Sequence, residues 1–200
     1  MNYEQIAFLK DCYKIFKKNI YLLLTISVGV GIITYFLHTR NSITNRMKEL
    51  YGMKVFLPVE EMLLISPIDK EDTFDVEAKY KMVVFYDSLS CSPCAYNNMY
   101  IWNDFIEEVH KANERVEFYF IMNPSKDNLN SLFQAMQSPS SFSEFILIDT
   151  LNAFTKANKL LPAEQIYHCM LLDSRNRIKL IGDPTRSNHL RDLYFKTILN

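Results

Sequence analysis

The chain has 200 residues, 48% of them apolar, and its 14 Phe, 12 Tyr and single Trp suffice for a packed core, so intrinsic disorder is excluded. The 22 basic and 23 acidic residues leave a net charge of −1, which argues against nucleic acid as a partner. The four glycines cannot form GxGxxG or GxxxxGK[ST], and the four histidines never form HExxH. We therefore expect neither the common nucleotide sites nor a zincin site.

Residues 19–39 form an uncharged stretch of 21 residues with Tyr21 and Tyr35 near its two ends. As a helix it would reach roughly 31 Å, enough to cross the hydrocarbon core of a bilayer. A buried core helix is the alternative, but such helices are usually shorter and carry a polar face. The run exceeds the apolar region of a signal peptide and no A-x-A site follows it, so we predict an uncleaved membrane anchor.

The orientation of this anchor depends on the basic residues that flank it. Four precede the span and four follow it, so the count is a tie: Lys10, Lys14, Lys17 and Lys18 against Arg40, Arg46, Lys48 and Lys54. Because Lys17 and Lys18 adjoin the span, we favour a cytoplasmic segment at residues 1–18. The C-terminal part would then lie outside the cytoplasm.

Residues 40–79 are predicted to be a linker with short irregular elements. Residues 41–51 are typical of a short helix or spacer, and the apolar runs VFLP and MLLI are interrupted by Pro58 and Pro67. The charged stretch at residues 69–81 is a predicted loop.

From residue 80 to residue 200 the pattern predicts one α/β domain. Strands are expected at 82–86, 116–122 and 145–149, and helices at 95–110, 129–136 and 153–160. A hairpin (167–173 and 178–182) and a helix at 190–198 follow. Strands that alternate with helices indicate a mainly parallel sheet covered on both faces, here with an antiparallel edge added by the hairpin.

The motif Cys91-Ser92-Pro93-Cys94 lies between the first of these strands and the first helix. Unpaired N–H groups at a helix start favour a thiolate over a thiol, and proline is tolerated in the first turn. A second cysteine one turn later can attack a mixed disulfide and release the substrate. Metal ligation and a structural disulfide are the alternatives, but zinc usually requires a second Cys or His pair. The strand–CxxC–helix context favours a redox pair.

On these motifs the segment from about residue 80 to 199 resembles the thioredoxin fold, and more narrowly the membrane-anchored, TlpA-like redoxin family of bacterial envelopes. The resemblance rests on MVVFYDSLSCSPC, the helical insertion after the second strand, and CMLLDSRNRIKLIG. It implies a central mixed sheet flanked by helices, with Cys91 as nucleophile and Cys94 as resolving thiol. It also implies an enzyme on the periplasmic side that needs no cofactor and acts on protein thiols or disulfides.

The sequence departs from this family at three positions. Ser90 stands where relatives often have Trp, and Phe85 stands where thioredoxins have a buried Asp. His168 stands where the family has a cis-proline, and the nearest proline is Pro162. A proline at position 168 is therefore expected to be tolerated.

His168 is either a buried structural histidine or a modulator of the Cys91 thiolate, and Asp87 is a second possible modulator or a solvated carboxylate. As an alternative function, Cys91, Cys94 and His168 would bind copper as in Sco-type proteins, because thiolates and imidazole suit that metal. Cys169 is predicted to be a core thiol that faces away from His168, and Cys12 a free reduced thiol. A protein-binding module that has lost efficient exchange is a third possibility.

Overall fold

The computed structural model describes residues 3–65, 78–88, 91–112, 115–137, 142 and 144–199. The chain divides into two compact units, Met1–Lys48 and Glu49–Asn200. Most of the predicted loop at 69–81 and the position of Ser90 lie outside the described residues. The side chain of Cys12 is likewise outside the described set, so its predicted state is untested.

One long helix, α1, runs from Tyr3 to Leu50. It contains the predicted anchor and continues through residues 41–50, where a separate short helix or spacer was expected. The first described break follows at Gly52, whose φ of 76° is the left-handed conformation that favours glycine. Threonine hydroxyls donate to carbonyls within the helix, as Thr34 does to Val30 at 3.0 Å. Residues Asn19–Leu50 contain an 18-residue window of mean hydropathy 2.2, so this helix is long and apolar enough to cross a membrane, as a signal sequence also is.

The second unit is built on a six-stranded mixed sheet. Its order is β1-β4-β3-β2-β5-β6, with β1 Leu63–Ile65, β2 Tyr80–Tyr86, β3 Val116–Met122, β4 Ile146–Ile148, β5 Cys169–Asp173 and β6 Ile178–Ile181. The three central strands β2, β3 and β4 are parallel, and β5 runs antiparallel to β2. The predicted hairpin is β5–β6, so the expected α/β fold with an antiparallel edge is confirmed.

Helices cover both faces of this sheet. They are α2 (Ser92–Asn97), α3 (Asn103–Ala112), α4 (Lys126–Met136), α5 (Ala153–Ala157) and α6 (Asn188–Ile198). Alternate β2 residues Met82 and Val84 face a core that includes Trp102. Phe85 points the other way and contacts Phe154 of α5, with ring centroids 4.8 Å apart. The end of β2 is thereby fixed from both sides.

The second unit also includes chain that precedes β2. Leu50 and Val55 are buried, and the Gly52 N–H donates to the Ile178 carbonyl at 2.8 Å. The short strand β1, which the sequence pattern did not predict, pairs antiparallel with β4. Residue 80 therefore marks the start of β2 rather than the start of this unit.

The helix predicted at 95–110 is interrupted. It consists of α2, a 3-10 turn at Met99–Trp102 and α3. The side-chain amide of Asn98 donates to the Cys94 carbonyl at 2.8 Å and so takes the acceptor that a continuing α-helix would use. As a result, the CxxC motif lies on a helix of only six residues.

Candidate redox site

The CxxC motif follows the central strand β2 after a short loop. After Tyr86, the loop begins with Asp87 and Ser88, and Cys91 is the N-cap residue of α2. The Cys91 carbonyl accepts the first helical hydrogen bond, from the Ala95 N–H at 2.8 Å. The predicted strand–CxxC–helix arrangement is therefore present.

Cys91 and Cys94 are joined by a disulfide bond with a Cα–Cα distance of 5.2 Å, within the usual range for such bonds. Both cysteines are exposed, whereas Ser92 and Tyr96 of the same helix are buried. The helix is thus fixed to the core by two residues while the two sulfur-bearing residues remain at the surface. Thiol–disulfide exchange requires this accessibility, because a partner sulfur must reach one of the two atoms.

His168 lies at the end of a 3-10 turn, Gln165–Tyr167, rather than in the following strand. The residue is only 6% exposed, and its Nε2 lies 2.9 Å from the Pro162 carbonyl. Its Nδ1 lies 3.7 Å from a carboxylate oxygen of Asp87, and its ring centroid is 5.1 Å from that of Phe85. The two possible modulators named from the sequence, Asp87 and His168, are therefore neighbours.

Cys169 occupies a different environment from His168, on the other face of the sheet. It is buried in the same core cluster as Tyr194, and Tyr194 donates a hydrogen bond to the Gly182 carbonyl at 2.8 Å. Burial raises the pKa of the Cys169 thiol well above its ordinary value, and nearby Asp183 raises that pKa further. The prediction that Cys169 is a core thiol is confirmed.

Beside Asp87 and His168 lies a cavity of about 240 Å³ at the carboxyl ends of β2 and β3. Asn123 at the end of β3 donates to the Asn152 side chain at 2.7 Å, and both residues line this cavity. Parallel strands commonly present their binding residues at this edge of a sheet.

The cavity wall contributed by α5 is held by a buried carboxylate. Both oxygens of Asp149 accept backbone hydrogen bonds, from Ala153 at 2.8 Å and from Phe154 at 2.9 Å. These bonds satisfy N–H groups at the helix start and fix the ring of Phe154. The pattern of an Asp four residues before a helical segment was available in the sequence, but its link to a cavity was not.

No family model and no curated protein matches the chain. Three solved structures illustrate what the fold is similar to. Peroxiredoxin Q of Xanthomonas campestris shares 13% identity, with 74% of this chain and 97% of that chain covered and a TM-score of 0.45. The thioredoxin domain of a thiol-disulfide oxidoreductase from Bacteroides vulgatus shares 14%, over 74% and 97%, with a TM-score of 0.43. StoA of Bacillus subtilis shares 14%, over 66% and 96%, with a TM-score of 0.42.

These identities are too low for more than a likeness of fold, and the assignment rests on the observed topology. Strand β2 leads into the CxxC helix, β3 and β4 lie parallel to it on one side, and the β5–β6 hairpin lies on the other. Residues 80–198 have a thioredoxin-like fold. The fold that the resemblance implied is thereby confirmed.

Within the thioredoxin-like domain, His168 directly precedes β5, the place where the family has its cis-proline. The Phe85 N–H donates to the His168 carbonyl at 2.8 Å. His168 is therefore hydrogen-bonded to β2, the strand that leads to the cysteines. No cis peptide bond occurs among the described residues.

The ligand set of the copper alternative is not brought together as a metal site. In the described part of the chain, no group of three or more His, Cys, Asp or Glu side chains could hold a metal ion. The sulfur atoms of Cys91 and Cys94 are bonded to each other, and the His168 ring contacts Asp87, Phe85 and Pro162. Copper binding by Cys91, Cys94 and His168 stays an untested alternative.

Proposed function

We propose that this protein is a membrane-anchored thiol–disulfide oxidoreductase that exchanges disulfides with protein partners through Cys91 and Cys94. One observation carries the proposal: the two cysteines form an exposed disulfide at the start of α2, a short loop after the central strand β2. A disulfide that only cross-links the fold gains nothing from exposure, whereas an exchanging disulfide requires it.

In the reducing direction, the Cys91 thiolate attacks one sulfur of a partner disulfide. A mixed disulfide forms, and the partner's second sulfur leaves as a thiolate that takes up a proton. The Cys94 thiolate then attacks Sγ of Cys91, which forms the Cys91–Cys94 bond and releases the partner's first sulfur as a thiol. The partner gains two electrons and two protons, and the protein loses the same. The oxidising direction is the reverse sequence.

Cys91 is assigned as the nucleophile because it occupies the N-cap position of α2. There the unpaired N–H groups of the first turn favour a negatively charged sulfur. Cys94 lies within the helix, three residues further along the chain. This difference in backbone position, rather than a difference in exposure, distinguishes the two thiols.

Asp87 and His168 are proposed to modulate the exchange. Asp87 lies in the loop between β2 and Cys91, and its carboxylate is 3.7 Å from His168 Nδ1. A carboxylate and an imidazole in such proximity can hold a proton that is taken from a thiol and later returned. In this proposal both groups carry a proton for the exchanging thiols, and neither acts as the nucleophile.

The membrane part of the proposal is supported by α1 alone. Residues 19–39 would span the bilayer, residues 1–18 would lie in the cytoplasm, and the thioredoxin-like domain would lie on the periplasmic side. A periplasmic location suits the proposed chemistry, because disulfides form and persist in that compartment.

The proposed function is tested by disulfide turnover with the full chain in nonionic detergent. Insulin with dithiothreitol serves as the assay, and Cys91→Ser and Cys94→Ser are compared with Cys169→Ser as the matched control. Loss of turnover in the first two variants, with turnover kept in the third, supports the proposal. Equal turnover in the wild type and Cys91→Ser would show that these cysteines are not the reactive pair.

A further inference from the structure

The chain between α1 and β1 forms one edge of the second unit, and this edge is rich in aromatic and basic side chains. Residues 52–56 run beside residues 176–178: the Gly52 N–H donates to the Ile178 carbonyl at 2.8 Å, and Lys54 pairs with Arg177 in an antiparallel bridge. We call this surface the basic-aromatic edge. Its members are Tyr51, Lys54, Phe56, Arg177 and Lys179.

The two aromatic rings of the basic-aromatic edge are exposed because the backbone holds them outward. Tyr51 is 59% exposed and Phe56 is 53% exposed, whereas Val55 between them is fully buried. The side chain of Asn158 accepts from the Phe56 N–H and donates to the Phe56 carbonyl, both at 2.8 Å. Phe56 therefore cannot turn inward without losing both of these hydrogen bonds.

The three cations of the basic-aromatic edge contact rings and a carbonyl. The Nζ atom of Lys54 lies 5.3 Å from the centroid of the Phe56 ring, and that of Lys179 lies 5.2 Å from the centroid of the Tyr51 ring. Arg177 donates to the Gly52 carbonyl at 3.0 Å. In the described part of the chain, none of these three cations forms an ion pair with a carboxylate. Their charges are therefore available to an external anion.

The acidic residues near this edge have other partners or lie beyond it. Asp173 lies near Lys179, but its Oδ1 accepts from the backbone N–H groups of Arg175 and Arg177 at 3.0 and 2.9 Å. Glu49 already interacts with another residue. Glu60 and Glu61 are exposed, but they belong to the 3-10 turn that follows Pro58. An anionic surface is thus favoured at residues 51–56 and disfavoured at that turn.

The basic-aromatic edge lies close to the proposed membrane anchor along the chain. Residues 40–50 separate the predicted span from Tyr51, and they continue the helix α1. At about 1.5 Å per residue they reach roughly 17 Å, and tilt of the helix would reduce the height of Tyr51 above the bilayer further. The tether therefore keeps this edge at a high effective concentration beside lipid headgroups.

Exposed aromatic rings with adjacent cations are typical of surfaces that meet a membrane. Tyrosine rings lie preferentially at the level of the headgroups, and lysine and arginine near the surface are attracted to anionic lipids. A partner protein could also cover an exposed apolar patch. Lipid is favoured here because the unpaired charges are positive and because the chain itself would hold the edge beside the bilayer.

We propose that the basic-aromatic edge docks on anionic lipid headgroups of the membrane that residues 19–39 span. The rings of Tyr51 and Phe56 enter the interface, while the three cations contact lipid phosphates. This proposal rests on the proposed membrane anchor, but it does not depend on disulfide exchange. It also applies to either side of the membrane.

Quenching of tryptophan fluorescence by brominated lipids tests the proposal with the full chain in vesicles. Phe56→Trp places a reporter in the basic-aromatic edge, and Tyr100→Trp is the matched control at another exposed aromatic position. The wild type measures the contribution of the buried Trp102. The vesicles contain phosphatidylcholine with brominated acyl chains, either alone or mixed with phosphatidylglycerol as the anionic lipid. Flotation verifies that the chain is anchored, and circular dichroism verifies that each variant is folded.

A second set of variants tests the role of the charges in the Phe56→Trp background. Lys54→Gln combined with Lys179→Gln removes two positive charges and leaves most of each side chain. Lys126→Gln combined with Lys196→Gln makes the same change of charge at exposed positions of α4 and α6.

In vesicles that contain phosphatidylglycerol, we expect bromine to lower the added emission of Phe56→Trp at least twofold and that of Tyr100→Trp much less. Most of this quenching should be lost without phosphatidylglycerol and in the Lys54 and Lys179 double variant, and it should persist in the Lys126 and Lys196 double variant.

Two failures are distinguished by flotation. A chain that floats with the vesicles but shows no quenching of Phe56→Trp overturns the docking proposal and leaves the anchor in place. A chain that does not float overturns both. Equal quenching of folded Tyr100→Trp, or quenching of Phe56→Trp that does not depend on phosphatidylglycerol or on Lys54 and Lys179, also overturns the docking proposal.

Discussion

The backbone N–H of Phe85 donates to the carbonyl of His168 across a distance of 2.8 Å. This bond joins the last part of β2, which leads to Cys91, to the turn that precedes β5. The backbone N–H of His168 in turn donates to the Gln165 carbonyl at 3.0 Å. The Nε2 atom of its ring is hydrogen-bonded to the Pro162 carbonyl. The residue at the family's cis-proline position is thus held by both its backbone and its side chain.

These contacts change the expectation for His168→Pro. From the sequence alone, a proline at this position is expected to be tolerated. A proline at position 168 has no N–H, so it would remove the hydrogen bond to the Gln165 carbonyl. It would also follow Tyr167, which lies in a 3-10 turn, and a residue that precedes proline avoids this conformation. We predict a loss of about 1 to 3 kcal/mol of unfolding free energy. Denaturant unfolding followed by Trp102 fluorescence measures this loss, and unchanged stability would show that the turn adapts.

The first cysteine should be the more reactive one. In the reduced full chain, we predict that Cys91 is alkylated before Cys94, because of its N-cap position, and with an apparent pKa below the reference of about 8.5. Cys169 should react last, because it is buried and its pKa is raised. Iodoacetamide labelling across pH, read by peptide mass spectrometry, gives the order. Labelling of Cys169 before Cys91 in the folded protein would refute the assignment.

Because of Cys169, the free energy of unfolding should decrease at alkaline pH. Its folded-state pKa lies above that of the unfolded chain, so its contribution is fully present below about pH 8.5. As pH rises above that value, the unfolded chain releases a proton that the folded chain retains, and stability falls by up to about 1.4 kcal/mol per pH unit. Burial also raises the pKa of Tyr86, to about 12, and that of Tyr194, but these groups lower stability only once the unfolded tyrosines titrate, near pH 10, so the window from pH 8.5 to 9.5 reports mainly on Cys169.

This dependence is measured by unfolding the oxidised protein at pH 7.5, 8.5 and 9.5. The variant Cys169→Ala should be less stable at every pH because it leaves a small cavity, but it should lose the slope above pH 8.5. An equal slope in the variant would assign the effect to another group.

Asp149 should be important for the wall that α5 forms. Asp149→Ala leaves the Ala153 and Phe154 N–H groups without their acceptor, and we expect a loss of about 2 to 4 kcal/mol. The exposed Asp127 of α4 provides the control Asp127→Ala, with a change below about 1 kcal/mol. Denaturant unfolding compares the two variants, and equal losses would contradict a capping role for Asp149.

Residues 19–39 should remain in the mature protein and hold it in the membrane. We predict that carbonate at high pH leaves the native chain in the membrane pellet and that its N-terminal sequence begins before residue 19. A chain that begins near Arg40 and is released into the supernatant would identify the segment as a signal peptide.

The main strands and the position of the CxxC motif could be predicted because each depends on a pattern of residues that are close together in the sequence. VEFYFIM forms β3 with the expected bounds, since a β-branched and aromatic run fits a buried strand wherever it pairs. Strand alternation likewise predicted that His168 and Cys169 would face opposite sides, and the contacts of His168 with Phe85 and of Cys169 with the core cluster confirm this.

The features that the sequence did not reveal depend on distant contacts. The cavity forms because Asp87, Phe154 and His168 meet in space, and no periodicity relates them. The strand β1 has only three residues, so its pairing with β4 carries no recognisable pattern. The break between α2 and α3 depends on one hydrogen bond from the Asn98 side chain, which competes with the apolar period of the surrounding residues.

The most direct test of the central claim is a redox titration of Cys91 and Cys94 in the purified full chain, with metal content measured on the same sample. We predict one reversible two-electron transition, with a tenfold change in the ratio of oxidised to reduced protein for about every 30 mV, and no stoichiometric copper. The transition should persist in Cys169→Ser and vanish in Cys91→Ser. A pair that does not titrate in thiol buffers, together with stoichiometric copper that is lost in His168→Ala, would contradict the account.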